Sequence, residues 1–299
     1  MKRIECKSRD EWLSYRMTGI GASEAPAILG LDPYKGPLAV YAEKVGLVEP
    51  SDEETEAMEW GILLQPIVAV RYADKTNRVL RDHGRYSLCR DDVHPWMLAS
   101  LDFEIVDPVA VLEVKTTNIR HTDDWKDEPP LRFQVQVQQQ LAVTGFDLGA
   151  LVVLVGGQRL YSYDVPRHQG FIDSLIAVEQ EFWRRVELKD PPPADGSDAT
   201  KEFLRRAYPV DDGSVVPLPE EALAWDQQLA VAKEAIKEEE ALVQEIQNKI
   251  KAAMGEATWG LMSNGVRFSL KTIEKHAKKA TAVGDLITSY RELRRVAAK

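Results

Sequence analysis

The sequence predicts an α/β fold: a central mixed sheet flanked by helices, followed by an appendage of one long helix and a β-hairpin. Two observations predict the sheet. Short apolar segments separated by turn residues lie at 79–115, and a near-continuous apolar run at 148–155 is typical of a buried central strand. A change of character after a proline-rich stretch at 191–196 predicts the appendage. The chain of 299 residues is long enough for one large domain, or for one domain with an appendage.

The N-terminal region predicts three short helices. Ser8 and Glu11 have the spacing of a capping box at the start of the first helix. Ser23 follows a glycine-rich turn as the N-cap of the second, and the third covers 36–45. A helix N-terminus after such a turn is a site for an anion, and Arg16 can bring a guanidinium to the same anion. Simple capping beside a surface arginine is the alternative interpretation.

An amphipathic helix and three strands follow. The helix covers 57–76 and is predicted to kink or restart at Pro66, which lacks a backbone donor. Glu59 and Gln65 on this helix could point toward a functional site or toward water, and their spacing does not decide between the two. The strands are predicted at 79–82, 86–90 and 97–101.

The stretch at 98–115 holds the residues around which the chain is organised. One strand ends near Asp102, and a second strand at 109–115 places Glu113 and Lys115 on the same face, because side chains alternate along a strand. Two carboxylates can hold a hard divalent cation. A lysine beside them can orient or deprotonate a water. A hairpin with a surface ion pair is the alternative interpretation.

A helix, a hairpin and a second helix follow a polar loop. The first helix begins near Leu131 and ends at Gly145, with Gln136 and Gln140 one turn apart on one face. These glutamines could simply be solvated, or they could hold a nucleophilic water or a phosphate near the preceding strand. The hairpin strands are predicted at 148–155 and 158–165, and the second helix at 168–188.

The proline-rich stretch at 191–196 is the clearest boundary in the chain. We predict a core at 1–190, a linker at 191–218 and a C-terminal helical arm with a β-hairpin at 219–299. The arm carries a long charged helix to about residue 254 and a hairpin at 259–273.

Apolar residues recur every seven positions along the long C-terminal helix, which resembles the seam of a coiled coil. The recurring residues are Leu229, Ile236, Val243 and Ile250. Glu239, however, occupies a position that a coiled coil would fill with an apolar residue. A short packed hairpin or an appended arm is therefore favoured over a true coiled coil.

Composition limits the class of protein. A net charge of −10 argues against a generally sticky nucleic-acid binder, but it is compatible with a nuclease whose metal-binding carboxylates add negative charge. Two cysteines far apart argue against a disulfide framework or a cysteine zinc site. No apolar run reaches transmembrane length, and the first residues lack the apolar core of a signal peptide. We therefore expect a cytoplasmic protein with no membrane partner.

Four segments, in this order, resemble the YqaJ viral recombinase family, the lambda-type exonucleases of the PD-(D/E)XK nuclease superfamily. The matching segments are R-x-x-G-I-G-A-S at 16–23, E-W-G-x-x-x-Q at 59–65, Asp102 with E-V-K at 113–115, and Q-V-Q at 136–138. The resemblance covers about residues 8–190 and implies the PD-(D/E)XK core as the fold of that region.

The resemblance implies a metal-dependent active site. Asp102, Glu113 and the carbonyl of Val114 would ligate Mg²⁺, for which Mn²⁺ would substitute. Lys115 would position and activate the attacking water. Gln136 would support that lysine and the water.

The resemblance also implies a site for the end of the DNA. Arg16 and Ser23 would hold the terminal 5′-phosphate of the duplex. Gln65 stands where related enzymes often carry a metal-linked glutamate, and Glu59 is the other candidate for that accessory place. Leu101 stands where the superfamily's name has a proline.

The function implied is that of a Mg²⁺-dependent 5′-to-3′ exonuclease of phage-type recombination, which degrades one strand of linear double-stranded DNA and leaves 3′ single strands. Related enzymes form ring-shaped trimers, and a single-strand annealing protein is the implied partner. A restriction-type DNA endonuclease on the same core is one alternative, and it would cut circular DNA. A non-catalytic recombination scaffold is the other, with the long C-terminal helix as its working part.

Overall fold

The computed structural model describes residues 1–48 and 55–272. The chain divides into two compact units, Met1–Pro209 and Val210–Lys299. The predicted core, linker and arm, with boundaries at 190 and 218, remain a prediction. The last 27 positions of the predicted arm, including the final residue of the predicted hairpin, lie outside the described residues.

Seven α-helices lie in the described part of the first unit. They are α1 Arg9–Arg16, α2 Ala25–Ile28, α3 Pro37–Lys44, α4 Glu56–Thr76, α5 Leu131–Thr144, α6 Gln169–Leu188 and α7 Asp198–Ala207. The Ser8 side chain accepts a hydrogen bond from the Glu11 N–H, as the capping box predicts. The helix α4 runs through Pro66 without a break, so a restart of the helix at this residue is wrong. Val68 and Tyr72 of the same helix are buried against the sheet, and this packing outweighs one missing backbone hydrogen bond.

Nine strands in the described residues of the first unit form two sheets. They are β1 Lys2–Glu5, β2 Ile20–Gly21, β3 Leu80–Arg81, β4 Ser87–Arg90, β5 Met97–Ala99, β6 Phe103–Ile105, β7 Ala110–Thr117, β8 Leu148–Val155 and β9 Arg159–Pro166. The central sheet has the order β3-β6-β7-β8-β9, with β7 and β8 parallel and the other neighbours antiparallel. It is the predicted mixed sheet. The second sheet has the order β1-β4-β5-β2.

Helices cover both faces of the central sheet. Tyr72 of α4 lies in one apolar cluster with Leu112 of β7. On the opposite face, Val137 of α5 lies in another cluster with Val111 of β7. Because side chains alternate along a strand, the odd-numbered residues of β7 are directed toward α5.

The structure corrects the predicted path of the chain between 97 and 109. The strand predicted at 97–101 ends at Ala99, and the chain then enters the central sheet as β6, which the sequence does not predict. Asp102 therefore lies in a bend between two strands of different sheets. With only three residues, β6 is too short to show the alternation by which strands are identified.

The second unit contains α8 Ala222–Met254 and a hairpin of β10 Trp259–Leu261 and β11 Arg267–Ser269, which are the predicted long helix and hairpin. No residue of α8 is buried. Its apolar stripe of Leu229, Ile236 and Val243 is exposed to 41–57%. Among the described residues, no helix has an apolar stretch long enough to span a membrane.

Candidate active site

Glu113 of β7 is the centre of a buried hydrogen-bonded group. Its Oε1 lies 2.6 Å from the Lys115 Nζ and accepts a hydrogen bond from Gln136 Nε2 at 2.7 Å. Its Oε2 accepts a hydrogen bond from Gln140 Nε2 at 2.6 Å. Glu113 is only 3% exposed, so these contacts replace the water that a carboxylate would otherwise bind. The two glutamines, one turn apart on α5, hold both oxygens of the carboxylate in place.

Asp102 reaches the same group from the bend before β6. Phe103 pairs with Leu112, so the antiparallel register places Asp102 beside the next residues of β7. The Val114 N–H donates a hydrogen bond of 2.7 Å to Asp102 Oδ2. Gln65 of α4 also hydrogen-bonds to the Asp102 carboxylate.

The charges of this group are unbalanced. Burial and the charge of Glu113 raise the pKa of Asp102 to about 8, although Lys115 acts in the opposite direction. Burial also disfavours the charge on Lys115, but Glu113 and Asp102 outweigh this effect and raise the pKa of Lys115. Two buried carboxylates thus share one lysine, which leaves a site deficient in positive charge.

This donor set fits a divalent cation. The carboxylates of Asp102 and Glu113 and the main chain of Val114 offer oxygen, which hard cations prefer. Within 1–48 and 55–272, no cluster of three or more histidine, cysteine or acidic side chains has the arrangement of a metal site.

The predicted accessory residues differ in position. Gln65 lines a cavity of about 890 Å³ together with Asp102. Glu59 is exposed at the first turn of α4 and does not line this cavity. The structure therefore places Gln65, and not Glu59, beside the carboxylates.

Arg16, at the end of α1, lines the same cavity as Asp102. Its guanidinium lies 4.8 Å from the centroid of the Trp12 ring. Its Nη2 donates a hydrogen bond of 3.4 Å to Ser23 Oγ and lies 3.5 Å from a carboxylate oxygen of Glu24. The structure thus brings the predicted pair of Arg16 and Ser23 into contact, and of the two Arg16 lines the cavity.

The predicted role of Ser23 as a helix cap is wrong. The helix α2 has only four residues and begins at Ala25, with Glu24 at the N-cap position and no side-chain cap. The Glu24 side chain instead accepts a hydrogen bond of 2.7 Å from the Gly21 N–H, which closes a tight turn. Ser23 offers a hydroxyl group beside Arg16, and it does not offer a helix N-terminus.

Glu24 and Lys44 are charged residues of this region that the sequence does not identify. Glu24 Oε2 lies 2.8 Å from Lys44 Nζ, which also donates a 2.8 Å hydrogen bond to the carbonyl of Arg16. Burial works against the charge on Glu24, but Lys44 and Arg16 outweigh it and lower its pKa to about 2. In the sequence, the position of Glu24 directly after Ser23 is a signal for a role in this region, whereas Lys44 in the last turn of α3 carries no such signal.

A chain of contacts joins the Arg16 region to Glu113. Trp12, whose ring carries the Arg16 guanidinium, donates a hydrogen bond of 3.1 Å from Nε1 to Ser100 Oγ. The Ser100 carbonyl accepts a hydrogen bond of 3.2 Å from Gln140, which also holds Glu113. The region of Arg16, which has more cations than carboxylates, is thus connected by hydrogen bonds to the group of Glu113, which has more carboxylates than cations.

Comparison with known sequences finds relatives of one family. A model of the YqaJ-like viral recombinase domain matches residues 11–147. The chain is 34% identical over 262 residues to the uncharacterized protein YqaJ of Bacillus subtilis (strain 168). That alignment covers 86% of this chain and 82% of the relative.

Comparison with solved structures finds the same fold. The crystal structure of an alkaline exonuclease, LHK-Exo from Laribacter hongkongensis, superimposes with a TM-score of 0.53 at 20% sequence identity. It covers 68% of this chain and all of LHK-Exo. The complex of LHK-Exo with dAMP superimposes with a TM-score of 0.51 at 18% identity. At these identities, the likeness establishes the fold alone.

Proposed function

This chain belongs to the family of YqaJ-like viral recombinases, and from that premise we propose that it is a metal-dependent deoxyribonuclease that digests linear double-stranded DNA from the 5′ end. The product would be DNA with 3′ single strands, as phage-type recombination uses. The metal is Mg²⁺, with Mn²⁺ as a substitute.

One observation supports an exonuclease in particular. Arg16 and Asp102 line the same cavity of about 890 Å³, so a group that recognises an anion and a group that binds a metal face one space. An enzyme that cuts within a duplex needs no separate site for a terminal phosphate. An enzyme that starts at an end gains from such a site, because binding energy at the terminus positions the neighbouring bond.

The residues of the candidate active site would have different roles in the hydrolysis of the DNA backbone. A bound divalent cation would neutralise negative charge at the scissile phosphate and lower the pKa of a water. Asp102, Glu113 and the Val114 carbonyl would hold the cation. Lys115, 2.6 Å from Glu113, orients the attacking water and stabilises developing charge. Gln136 holds the shared oxygen of Glu113 and thereby the position of the lysine.

Arg16 and Ser23 select the DNA end. The guanidinium offers parallel N–H donors and a permanent charge, which suit a phosphate dianion. Its stacking on Trp12 restrains its plane, and the Ser23 hydroxyl adds a further polar group. This pair therefore favours a 5′-phosphate over a 5′-hydroxyl.

The proposal extends to partners and location. A protein of this function acts in the cytoplasm of a bacterial cell, in a phage or prophage context. It works as a ring-shaped homo-oligomer, a trimer, together with a single-strand annealing protein that binds the exposed 3′ strand.

Digestion of matched DNA substrates tests the proposed function. We expect degradation of linear duplexes with 5′-phosphate ends, slower degradation of 5′-hydroxyl duplexes, and no cutting of covalently closed circles. Removal of Mg²⁺ by chelation should abolish the activity. Cutting of closed circles would instead indicate a restriction-type endonuclease, and DNA binding without any cutting in Mg²⁺ or Mn²⁺ would indicate a scaffold.

A further inference from the structure

Arg132 lies in the first turn of α5, on the same face as Gln136 and Gln140, which are one and two turns further along. Both glutamines donate hydrogen bonds to Glu113, so this face of α5 is directed at β7. The helix runs antiparallel to β7, because it connects that strand to the parallel strand β8. Arg132 is therefore level with Lys115, which follows Glu113 on the same face of β7.

Aromatic rings hold the Arg132 guanidinium beside Lys115. Its Cζ lies 4.7 Å from the centroid of the Phe133 ring and 5.8 Å from that of Tyr34. The Lys115 Nζ lies 5.1 Å from the same Phe133 centroid. Tyr34 is 79% exposed and lines the cavity that Asp102 also lines. Two cations thus share one ring at the edge of the active site.

No acidic side chain of the described residues forms an ion pair with Arg132, and its buried Nε has no hydrogen-bond partner there. Other arginines of this unit differ, since Arg78 and Arg81 each pair with an acid at 2.6–2.7 Å. Two further effects are unfavourable to Arg132. It lies beside the cation of Lys115, and the positive end of a helix dipole repels a cation in the first turn. A negative charge from outside the chain would relieve all three.

We propose that Arg132 is a phosphate-binding residue of the active site, which contacts the backbone of the DNA strand being cut beside Lys115. This inference rests on the proposed function. A backbone phosphate supplies the negative charge that the chain does not. The guanidinium can donate two parallel hydrogen bonds to its oxygens, while the rings of Phe133 and Tyr34 restrain the plane of the guanidinium.

Substitution of Arg132→Met tests this inference in the full-length protein. Methionine keeps an apolar stem on the Phe133 ring but removes the charge. The matched control is Arg159→Met, which removes a positive charge from an exposed position of β9. The affinity for a 5′-phosphorylated linear duplex is measured without Mg²⁺ at several salt concentrations, and single-turnover digestion is measured with Mg²⁺.

We expect Arg132→Met to weaken duplex binding about ten-fold and to reduce the slope of log affinity against log salt by about one. Single-turnover digestion should slow by about ten- to a hundred-fold, while Arg159→Met behaves as the wild type. Mn²⁺ affinity and the unfolding transition should be unchanged. Arg132→Lys should keep the salt slope, because it keeps the charge, but should lose part of the affinity with the planar guanidinium.

The possible results separate the inference from the proposed function. If the wild type digests DNA and Arg132→Met matches Arg159→Met in affinity, salt slope and rate, Arg132 does not bind phosphate and the proposed function stands. If the wild type binds DNA without digesting it, the proposed function fails, and the salt slope still decides the role of Arg132. If Arg132→Met fails to fold, Arg132→Lys decides instead, and an affinity and a single-turnover rate equal to those of the wild type in that variant would overturn the inference.

Discussion

Two charged clusters of opposite imbalance reach the same cavity, the basic cluster with all three of its residues and the acidic cluster through Asp102. The acidic cluster is Asp102, Glu113 and Lys115, with two carboxylates for one cation. The basic cluster is Arg16, Glu24 and Lys44, with two cations for one carboxylate. Burial and neighbouring charges act on both clusters, yet together they raise the pKa of Asp102 to about 8 and lower the pKa of Glu24 to about 2.

The difference in charge indicates which kind of ligand each cluster would bind. Burial disfavours the charge of both carboxylates, so the opposite outcomes come from the neighbouring charges. The acidic cluster lacks a cation, and a divalent metal would supply it. The basic cluster has a cation in excess at Arg16, because Glu24 is already paired with Lys44 at 2.8 Å, and a phosphate would balance it.

Removal of an acidic-cluster carboxylate should have the largest effect. We expect Asp102→Ala and Glu113→Ala to abolish DNA hydrolysis without unfolding the protein, because each variant removes one of two mutually repelling anionic ligands. The loss should exceed the roughly 10–100-fold that follows from changes in residues supporting a metal ligand. Digestion rates and the stabilisation of the fold by Mg²⁺ are the measurements. Cleavage at the wild-type rate by either variant would contradict the metal assignment.

For Glu24, the carboxylate of the basic cluster, we expect a substitution to reduce the stability of the fold. Glu24→Gln should destabilise the fold by about 3–5 kcal/mol at neutral pH, because it leaves Lys44 buried and unpaired. The pKa of Glu24 in the folded protein lies below its ordinary value. The contribution of ionised Glu24 to the free energy of unfolding is therefore present above about pH 4.5 and is lost as the pH falls toward about 2.

Denaturant unfolding at several pH values measures this effect of Glu24. The free-energy gap between the wild type and Glu24→Gln should narrow as the solution becomes acidic. The double variant with Lys44→Met is the control, and it should recover part of the loss by removing the unpaired cation. A gap that does not change with pH would show that Glu24 does not stabilise the fold through its charge.

The variant Lys115→Ala tests whether the lysine of the acidic cluster acts in the chemical step or in DNA binding. It should slow single-turnover hydrolysis by about a hundred-fold while leaving DNA and metal binding largely intact, because the lysine acts on the water and on developing charge. Rapid-quench measurement of one turnover separates the chemical step from binding. If only the DNA affinity fell, Lys115 would be a phosphate-binding residue like the one proposed at Arg132.

Arg16→Ala should have the smallest of these effects, confined to the choice of DNA end. A charge-assisted contact contributes roughly 1.5–3 kcal/mol, so the preference for 5′-phosphate over 5′-hydroxyl should fall by about ten- to a hundred-fold. Initial digestion rates on paired duplexes give this preference for both proteins. An unchanged preference would show that Arg16 does not bind the terminal phosphate, and metal binding should be unaltered in either case.

The sequence predicts the parts of the fold whose pattern is local. The long amphipathic helices carry clear periodicity and β8 is a near-continuous apolar run, and the structure has these elements near their predicted positions. The alternation along β7 likewise predicts that Glu113 and Lys115 share a face. The short strand β6 depends on its pairing with β3 and β7. The turn that displaces Ser23 from the helix cap is closed by Glu24 and follows β2, which pairs with the distant strand β5.

The contacts of the candidate site likewise divide into those that a local sequence pattern predicts and those that depend on the packing of distant segments. The spacing of Gln136 and Gln140 predicts a shared face, but their common partner Glu113 emerges only when α5 packs on the sheet. Lys44 and Arg132 have no local signal at all. Each gains its role from side chains far away in sequence, such as Glu24 for Lys44 and Lys115 for Arg132.

The hydrogen bond between Trp12 and Ser100 has a consequence for the size of the product. It fixes the ring that carries Arg16 to the segment that leads into Asp102, so the span between the anion-binding group and the metal-binding group is a property of the folded chain. Under the proposed function, a strand whose 5′-terminus is seated at Arg16 always presents the same bond to the carboxylates. The enzyme would then release fragments of uniform length, whatever the base sequence of the strand.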